Sequence, residues 1–363
     1  MADATPNTAG APLPGSTGAM APAGPGSLPA SFSPRRFAIG TSWIVPCVVL
    51  VLLAGVPFVA GEYLQGLIVK IVILAIFALS LELLVGTTGL VSLGHAAFFG
   101  IGAYAAVLAA PKSGAGSLVA LLAISMASAA VYALFVGALS LRTRGVYFIM
   151  VTLAFAQMAY FVIHDTQVGG GSDGIYLNFK PVLGGLLDLK DKNQFYGFAL
   201  GCLAFTYALL AALLRSRFGH ALAGIRINEQ RMRAAGFRTY GYKLAAFVIG
   251  GALAGLAGFL IAARDGYVNP EMLAWQESGT VLLMLILGGL GHLRGAVIGA
   301  VAFTLLKELY SSQGLVGAAL ADHWQLPLGL TIIAFVALLP KGLIGLPALL
   351  RRRPRVLAVV DDD

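Results

Sequence analysis

The sequence predicts an all-α integral membrane protein with about ten transmembrane helices, and three observations carry that prediction. Hydrophobic residues make up 58% of the 363 and charged residues 11%, with a mean hydropathy of +0.87. Soluble domains carry roughly 25% charged residues, so a water-facing surface cannot be assembled from this chain. Ten apolar segments follow one another, at residues 40–60, 67–85, 92–110, 117–141, 145–164, 195–214, 243–263, 277–290, 295–310 and 326–340. Between the sixth and seventh lies RSRFGHALAGIRINEQRMRAAGFRTYGYK, residues 215–243, where Arg215, Arg217, Arg226, Arg231, Arg233, Arg238 and Lys243 face a single acid, Glu229.

That loop orients the chain. Basic residues are retained on the cytoplasmic side, which places 215–243 inside. Alternating sides from there also puts Arg142, Arg144, Arg294, Lys341 and the cluster Arg351, Arg352, Arg353 and Arg355 inside, so both termini come out cytoplasmic. The longest external loop, 164–194, balances Lys180, Lys190 and Lys192 against Asp165, Asp173, Asp188 and Asp191, as a translocated segment should. Residues 1–34 are Ala, Pro, Gly, Ser and Thr with one charge, Asp3, and are read as a disordered tail. They lack a secretory signal, so the membrane domain, 35–350, starts behind Arg35 and Arg36, and 351–363 form a C-terminal tail.

Two regions depart from plain spanning helices. GTTGLVSLGHAAFFGIGAY, residues 86–104, packs five glycines into a short distance, and at 279–306 two apolar runs too short to cross a bilayer flank Gly288, Gly289, Gly291, His292, Arg294 and Gly295. Shortened, Gly-interrupted segments in the two halves of a membrane protein point to discontinuous helices beside a translocation path. Close helix packing of the small-xxx-small kind explains the same glycines equally well. The regions echo each other: Leu93-Gly94-His95 precedes Gly102-Ala103 at the spacing at which Leu290-Gly291-His292 precedes Gly299-Ala300.

Chemistry-bearing residues are sparse. No His-Glu-x-x-His pair and no paired acids at helical spacing are present, and His95, His164, His220, His292 and His323 are scattered, which argues against a membrane-embedded enzyme. Cys47 and Cys202 lie in apolar runs and imply no thiol chemistry, and nothing resembles a nucleic-acid site. No G-x-x-x-x-G-K-[ST] phosphate loop occurs, so ATP has to be bound by partner chains. Glu82 is the one acid well inside a span, which makes it a candidate for the path, although a carboxylate near the inner end of its helix can also reach the interface. Gln157 and Thr152 share a helix and suit interhelical hydrogen bonds. Within the basic loop, 228–235 is helix-tolerant and ends at Gly236, a C-cap signal. That predicts a short cytoplasmic helix suited to docking a partner, whereas a passive channel needs no such loop.

Four stretches together carry a resemblance: GLVSLGHAAFFGIGAYAAVL; LRTRGVYFIMVTLAFAQMAYFV followed by GGGSDGI; FGHALAGIRINEQRMRAAGF running into YKLAAFVIGGALAGLAGFL; and LILGGLGHLRGAVIGA. Over about residues 60–345, and in this order, the chain resembles the branched-chain amino acid ABC transporter permeases of the LivM type. The resemblance implies an ABC importer permease fold with discontinuous Gly-rich helices in the bacterial inner membrane. Implied partners are a sister permease of the LivH type, two cytoplasmic ATPases and a periplasmic amino-acid-binding protein. It also implies a coupling helix, matched by 224–236, whose docking residues are Arg226, Asn228, Glu229, Arg231, Arg233 and Gly236. Candidates for the translocation path are Glu82, Ser92, Gly94, His95, Gln157, Gly288 and Gly291. Relatives commonly carry Asn where Glu82 stands, so no family role passes to it. Branched-chain amino acids are the expected substrates, with urea, short amides or other amino acids as alternatives on the same scaffold. Single cysteines at Asp188 and Arg231 are expected to react with impermeant reagents from opposite sides of the membrane; reaction of both from one side overturns the topology.

Overall fold

The computed structural model describes residues 55, 61–111, 116–177, 181–183, 187–189, 191–312, 323–339 and 342–346, all within the unit Val49–Asp363. Both tails, and apart from Gly55 the apolar segment at 40–60, lie outside the described residues. Each of the other nine apolar segments is helical. They form α1 (Glu62–Glu82), α2 (His95–Ala109), α3 (Leu118–Ser140), α4 (Val146–Asp165), α5 (Lys192–Arg215), α8 (Thr239–Asp265), α9 (Trp275–Gly288), α10 (Leu293–Ser311) and α11 (Gln325–Leu338), with α6 (Arg217–Ile227) and α7 (Glu229–Ala234) in the basic loop.

Among the described residues six helical stretches are long and apolar enough to cross a bilayer: Glu62–Thr88, Leu118–Ser140, Val146–Asp165, Lys192–Arg215, Thr239–Asp265 and Gln325–Gly345. The other apolar helices are interrupted or short, as the glycine pattern led us to expect. α9 and α10 meet at a bend of 113° and count together as at most one span, and α2 has only 15 residues, about 22 Å at 1.5 Å per residue. The nine described apolar segments are therefore nine helices, of which three are not full crossings by length and continuity.

Contacts sort the helix ends onto two sides. At one end, strand β1 (Ile175–Tyr176) pairs antiparallel with β4 (Tyr267–Val268), the Tyr267 hydroxyl donates to the Asp173 carbonyl at 2.8 Å, and Lys192 Nζ lies 2.7 Å from Glu62 Oε2. A second pair of two-residue strands, β2 (Val182–Leu183) and β3 (Leu187–Asp188), joins the same loop region. At the other end, the Tyr240 hydroxyl donates to the Ala138 carbonyl at 2.9 Å and Arg226 reaches the Gly86 carbonyl. The 164–194 loop and the 215–243 loop thus occupy opposite ends of the helices, as the charge pattern requires.

Small residues let the central helices touch. Between membrane helices there is little hydrophobic drive, so association rests on close van der Waals packing. In α8, Gly251 sits on the Ala133 methyl, Gly255 on the Ser125 carbonyl and the Ala129 methyl of α3, and Gly258 on the Phe99 carbonyl of α2. Gly102 of α2 meets Gly255 backbone to backbone. α1 and α8 are correspondingly the most buried spans, while α3, α4 and α11 leave most of their apolar surface exposed. Both readings of the glycines therefore hold, at different positions: those of α8 pack helices, and those at 86–94 and 288–295 lie at helix breaks.

Gly94 and Gly291 make that difference testable. A Cβ at Gly94 would collide with the Thr152 carbonyl of α4, and Gly291 has φ +87°, whereas nothing lies within 4 Å of a Cβ at Gly55. Gly94→Leu is expected to cost about 1–3 kcal/mol by overpacking and Gly291→Leu about 1–2 kcal/mol by backbone strain, with Gly55→Leu nearly silent. Thermal unfolding of the detergent-solubilised variants measures the order; equal tolerance at all three positions would refute it.

Candidate functional site

The two helix breaks and the basic loop converge on one point. α1 does not end at Glu82 but widens into a π-helical turn, Leu83–Thr88, closed by Gly89 in the left-handed conformation (φ 74°). Such turns release backbone carbonyls from the regular ladder and recur at functional sites. Here the released carbonyl of Gly86 accepts from the Arg226 guanidinium at the end of α6. The Glu82 carboxyl lies directly against Gly86, is 2% exposed, and faces Arg226 and the backbone amides of Gly291 and His292 in the break between α9 and α10. A buried carboxylate demands such company, because an unpaired charge in this setting is expensive. Its Oε2 nonetheless has no hydrogen-bond partner among the described groups.

The basic loop is built as two short helices rather than one. α6 buries Leu222 and Ile225, the chain breaks at extended Asn228 (φ −156°), and the Asn228 side chain caps α7 by accepting from the Arg231 amide at 2.9 Å. Gly236 (φ +86°) ends α7, as its position in the sequence indicated. Met232 of α7 packs on Gly224 of α6, folding the two helices together. Glu229 staples the element to α8: Arg233 Nη2 and Lys243 Nζ approach its two oxygens at 2.5 and 2.6 Å, and the Thr239 hydroxyl donates at 3.0 Å. Burial alone would raise the Glu229 carboxyl, but Lys243, Thr239 and Arg233 outweigh it and hold the carboxyl down at about 2.

The expected docking residues therefore divide. Arg231 is exposed on α7. Glu229 and Arg233 brace the element internally, Asn228 and Gly236 shape its ends, and Arg226 turns inward to the helix breaks. Ile227, 83% exposed beside the cap, was not singled out from the sequence. An apolar residue just before an N-cap ordinarily folds back as a hydrophobic staple, so its exposure could not be read from the pattern.

The path candidates also divide. Glu82 and Gly291 meet at the node, and Gly288 lies close by, its Cα against the Gly295 carbonyl so that α9 and α10 touch. Ser92 is fully buried and accepts from the Gly94 amide at 3.2 Å, a turn-forming contact. His95 is walled into the core: its Nε2 lies 2.8 Å from the Ser80 hydroxyl and its ring stacks on Phe77 with centroids 5.5 Å apart. Gln157 sits on α4 with a buried side-chain oxygen that has no hydrogen-bond partner among the described groups. Ser278 of α9, unremarked in the sequence, accepts from the Ala96 amide at 2.8 Å and satisfies one of the free donors at the start of α2. Among the described residues no three His, Cys, Asp or Glu side chains come together as metal ligands.

Comparison with known proteins identifies the family. Residues 63–337 match the family described as branched-chain amino acid transport system, permease component. The chain is 31% identical over 319 residues to the high-affinity branched-chain amino acid transport system permease protein LivM of Escherichia coli K12, covering 81% of this chain and 73% of that one. It is 27% identical over 141 residues to LivH of the same organism, covering 39% of this chain and 44% of that one. It is 30% identical over 118 residues to the autoinducer 2 import system permease protein LsrC of Salmonella paratyphi B, covering 31% and 34%. No solved structure matches the chain. It is a multi-pass membrane protein, and it belongs to the family of branched-chain amino acid transport system permease components.

Proposed function

We propose that this chain is one membrane subunit of an ATP-driven importer that moves branched-chain amino acids across the bacterial inner membrane, with both termini in the cytoplasm. It pairs with a sister permease of the LivH type, takes substrate from a periplasmic binding protein and takes energy from two cytoplasmic ATPases. ATP is bound by those partners, and this chain carries no cofactor of its own. The observation that supports coupling most directly is Arg226: the basic loop, which presents α7 outward, bonds the π-helical turn of α1 by this one guanidinium, which also faces Glu82 beside the break between α9 and α10.

The geometry supports a mechanical sequence. An ATPase that grips α7 displaces α6 with it, because Met232 packs on Gly224 and locks the two together, while Glu229 ties α7 to α8. Arg226 then pulls on the Gly86 carbonyl and changes the charge facing Glu82. Both points of pull are glycine-rich interruptions of helices, where the ladder is already open and a shift costs less than in a continuous helix.

Three outcomes are expected. Reversing Arg231 to Glu, or deleting residues 228–235, leaves the protein in the membrane with its sister subunit, since apolar length supplies insertion. It abolishes ATP-driven leucine uptake in proteoliposomes and weakens ATPase retention, as a reversed charge at a partner contact costs about 2–5 kcal/mol; normal transport with ATPases attached would make the loop a topology signal only. Arg226→Gln retains ATPases but lowers leucine moved per ATP hydrolysed, which separates transmission from docking; an unchanged ratio would refute the role of Arg226. For Glu229, the folded carboxyl titrates near 2, below its ordinary 4.5. Its contribution is therefore complete above that ordinary value and is lost as pH falls from there towards about 2. Hydrogen-exchange protection across 229–239, corrected for intrinsic rates, is expected to stay flat from about pH 7 to about pH 5 and to drop at every pH in Glu229→Gln.

A further inference from the structure

A cavity unused by this mechanism lies at the end opposite the basic loop, between the first two turns of α1, the start of α5 and the last turn of α8. Its volume is about 190 Å³, room for roughly six waters, which suits one small solute. Three charged side chains stand around it. Lys192 and Glu62 are paired at 2.7 Å at the mouth, and Arg264 donates to the Gly66 carbonyl at 3.3 Å and lies 3.0 Å from Asp265. Gln65 is fixed between them by donating to Asn193 Oδ1 at 2.8 Å and to the Lys192 carbonyl. The remaining wall is apolar, formed by Val69, Leu189 and Phe195, each under 10% exposed.

Charge continues inward from the cavity. Lys70, two turns into α1, interacts with Arg264, Asp265, Lys307 and Glu308 across three helices. Ionisable groups at such depth in apolar helices are costly to keep and mark the route of a polar solute.

We propose that this cavity receives one aliphatic α-amino acid, its ammonium on Glu62, its carboxylate between Lys192 and Arg264, and its side chain on Val69, Leu189 and Phe195. This rests on the importer reading and names the place where substrate first meets the chain. The ligand opens the Lys192–Glu62 pair and replaces each partner by its own opposite charge, so no ion is left alone. A phosphatidylethanolamine headgroup offers the same pair of charges, and the experiment separates the two sources.

Gly66 lines the cavity and a Cβ there meets nothing within 4 Å, so larger residues enter without a clash at the helix surface. The assembled transporter, with Cys47 and Cys202 replaced by Ser and carrying Gly66→Cys, is placed in vesicles of phosphatidylcholine and phosphatidylglycerol and treated with an impermeant maleimide. Leucine is expected to slow labelling by about tenfold, the scale of one or two charge-assisted contacts, while 3-methylbutylamine and 4-methylpentanoate, which lack one charge each, do not. Gly66→Trp fills the cavity and removes no charge; it is expected to lower leucine uptake by about tenfold with the subunits still assembled. Absence of leucine protection together with unimpaired uptake in Gly66→Trp overturns the proposal. Protection that depends on added phosphatidylethanolamine and not on leucine also overturns it, in favour of a lipid site. Failure of the unsubstituted complex to take up leucine counts against the importer reading instead, and the protection assay still decides the cavity.

Discussion

A helix that stops inside a membrane protein frees backbone groups that lipid cannot satisfy, and that constraint organises this structure. The π-helical turn after α1 releases the Gly86 carbonyl, the start of α2 exposes the Ala96 amide, and the bend between α9 and α10 exposes the amides of Gly291 and His292. Each is met by a neighbour: Arg226 takes the carbonyl, Ser278 takes the Ala96 amide, and the Glu82 carboxylate faces the other two. The breaks sit side by side because each supplies what another lacks. A continuous helix in place of the π-helical turn would take the Gly86 carbonyl from Arg226, and one in place of the bend would take two amides from Glu82.

Much of this was legible in sequence because bilayers read composition. Apolar length located nine of the described helices, basic residues gave their ends, and the runs of Gly at 86–94 and 288–295 announced the interruptions. The cap residues Asn228 and Gly236 marked the ends of α7 through local chemistry that needs no tertiary context. What composition could not convey was which polar groups meet. Arg226 reads as one more positive charge in a positive loop, yet its partner is a backbone carbonyl 140 residues away. Ser278 is an ordinary small residue until α2 begins beside it. His95 looked like a polar residue near a path, but Phe77 and Phe98 enclose its ring, and in a chain so rich in aromatics the pattern does not tell a stacked histidine from an exposed one.

The echo between Leu93-Gly94-His95 and Leu290-Gly291-His292 also acquires physical content. Both precede a helix that starts at the basic-loop end, and in both the glycine seven residues after the histidine touches another backbone, Gly102 against Gly255 and Gly299 against the Met284 carbonyl. The first glycines differ: Gly94 is tight against the Thr152 carbonyl with a negative φ, while Gly291 needs a positive one. The likeness is one of use, a turn followed by a close-packed helix, and not one of identical backbone shape.

α1 is the element common to both ends. Its first turns carry Glu62, Gln65 and Val69 at the cavity, and its last carry Glu82 and Gly86 at the node. Between them the helix is continuous and almost wholly buried, in contact with α5, α8, α9 and α10. Counted with its π-helical turn it has 27 residues, about 40 Å at 1.5 Å per residue. A close-packed helix of that length transmits strain along its axis, because a packed interior has little room to compress. Under the proposed coupling, a pull on the Gly86 carbonyl would reach the cavity wall at the far side of the membrane through this one helix.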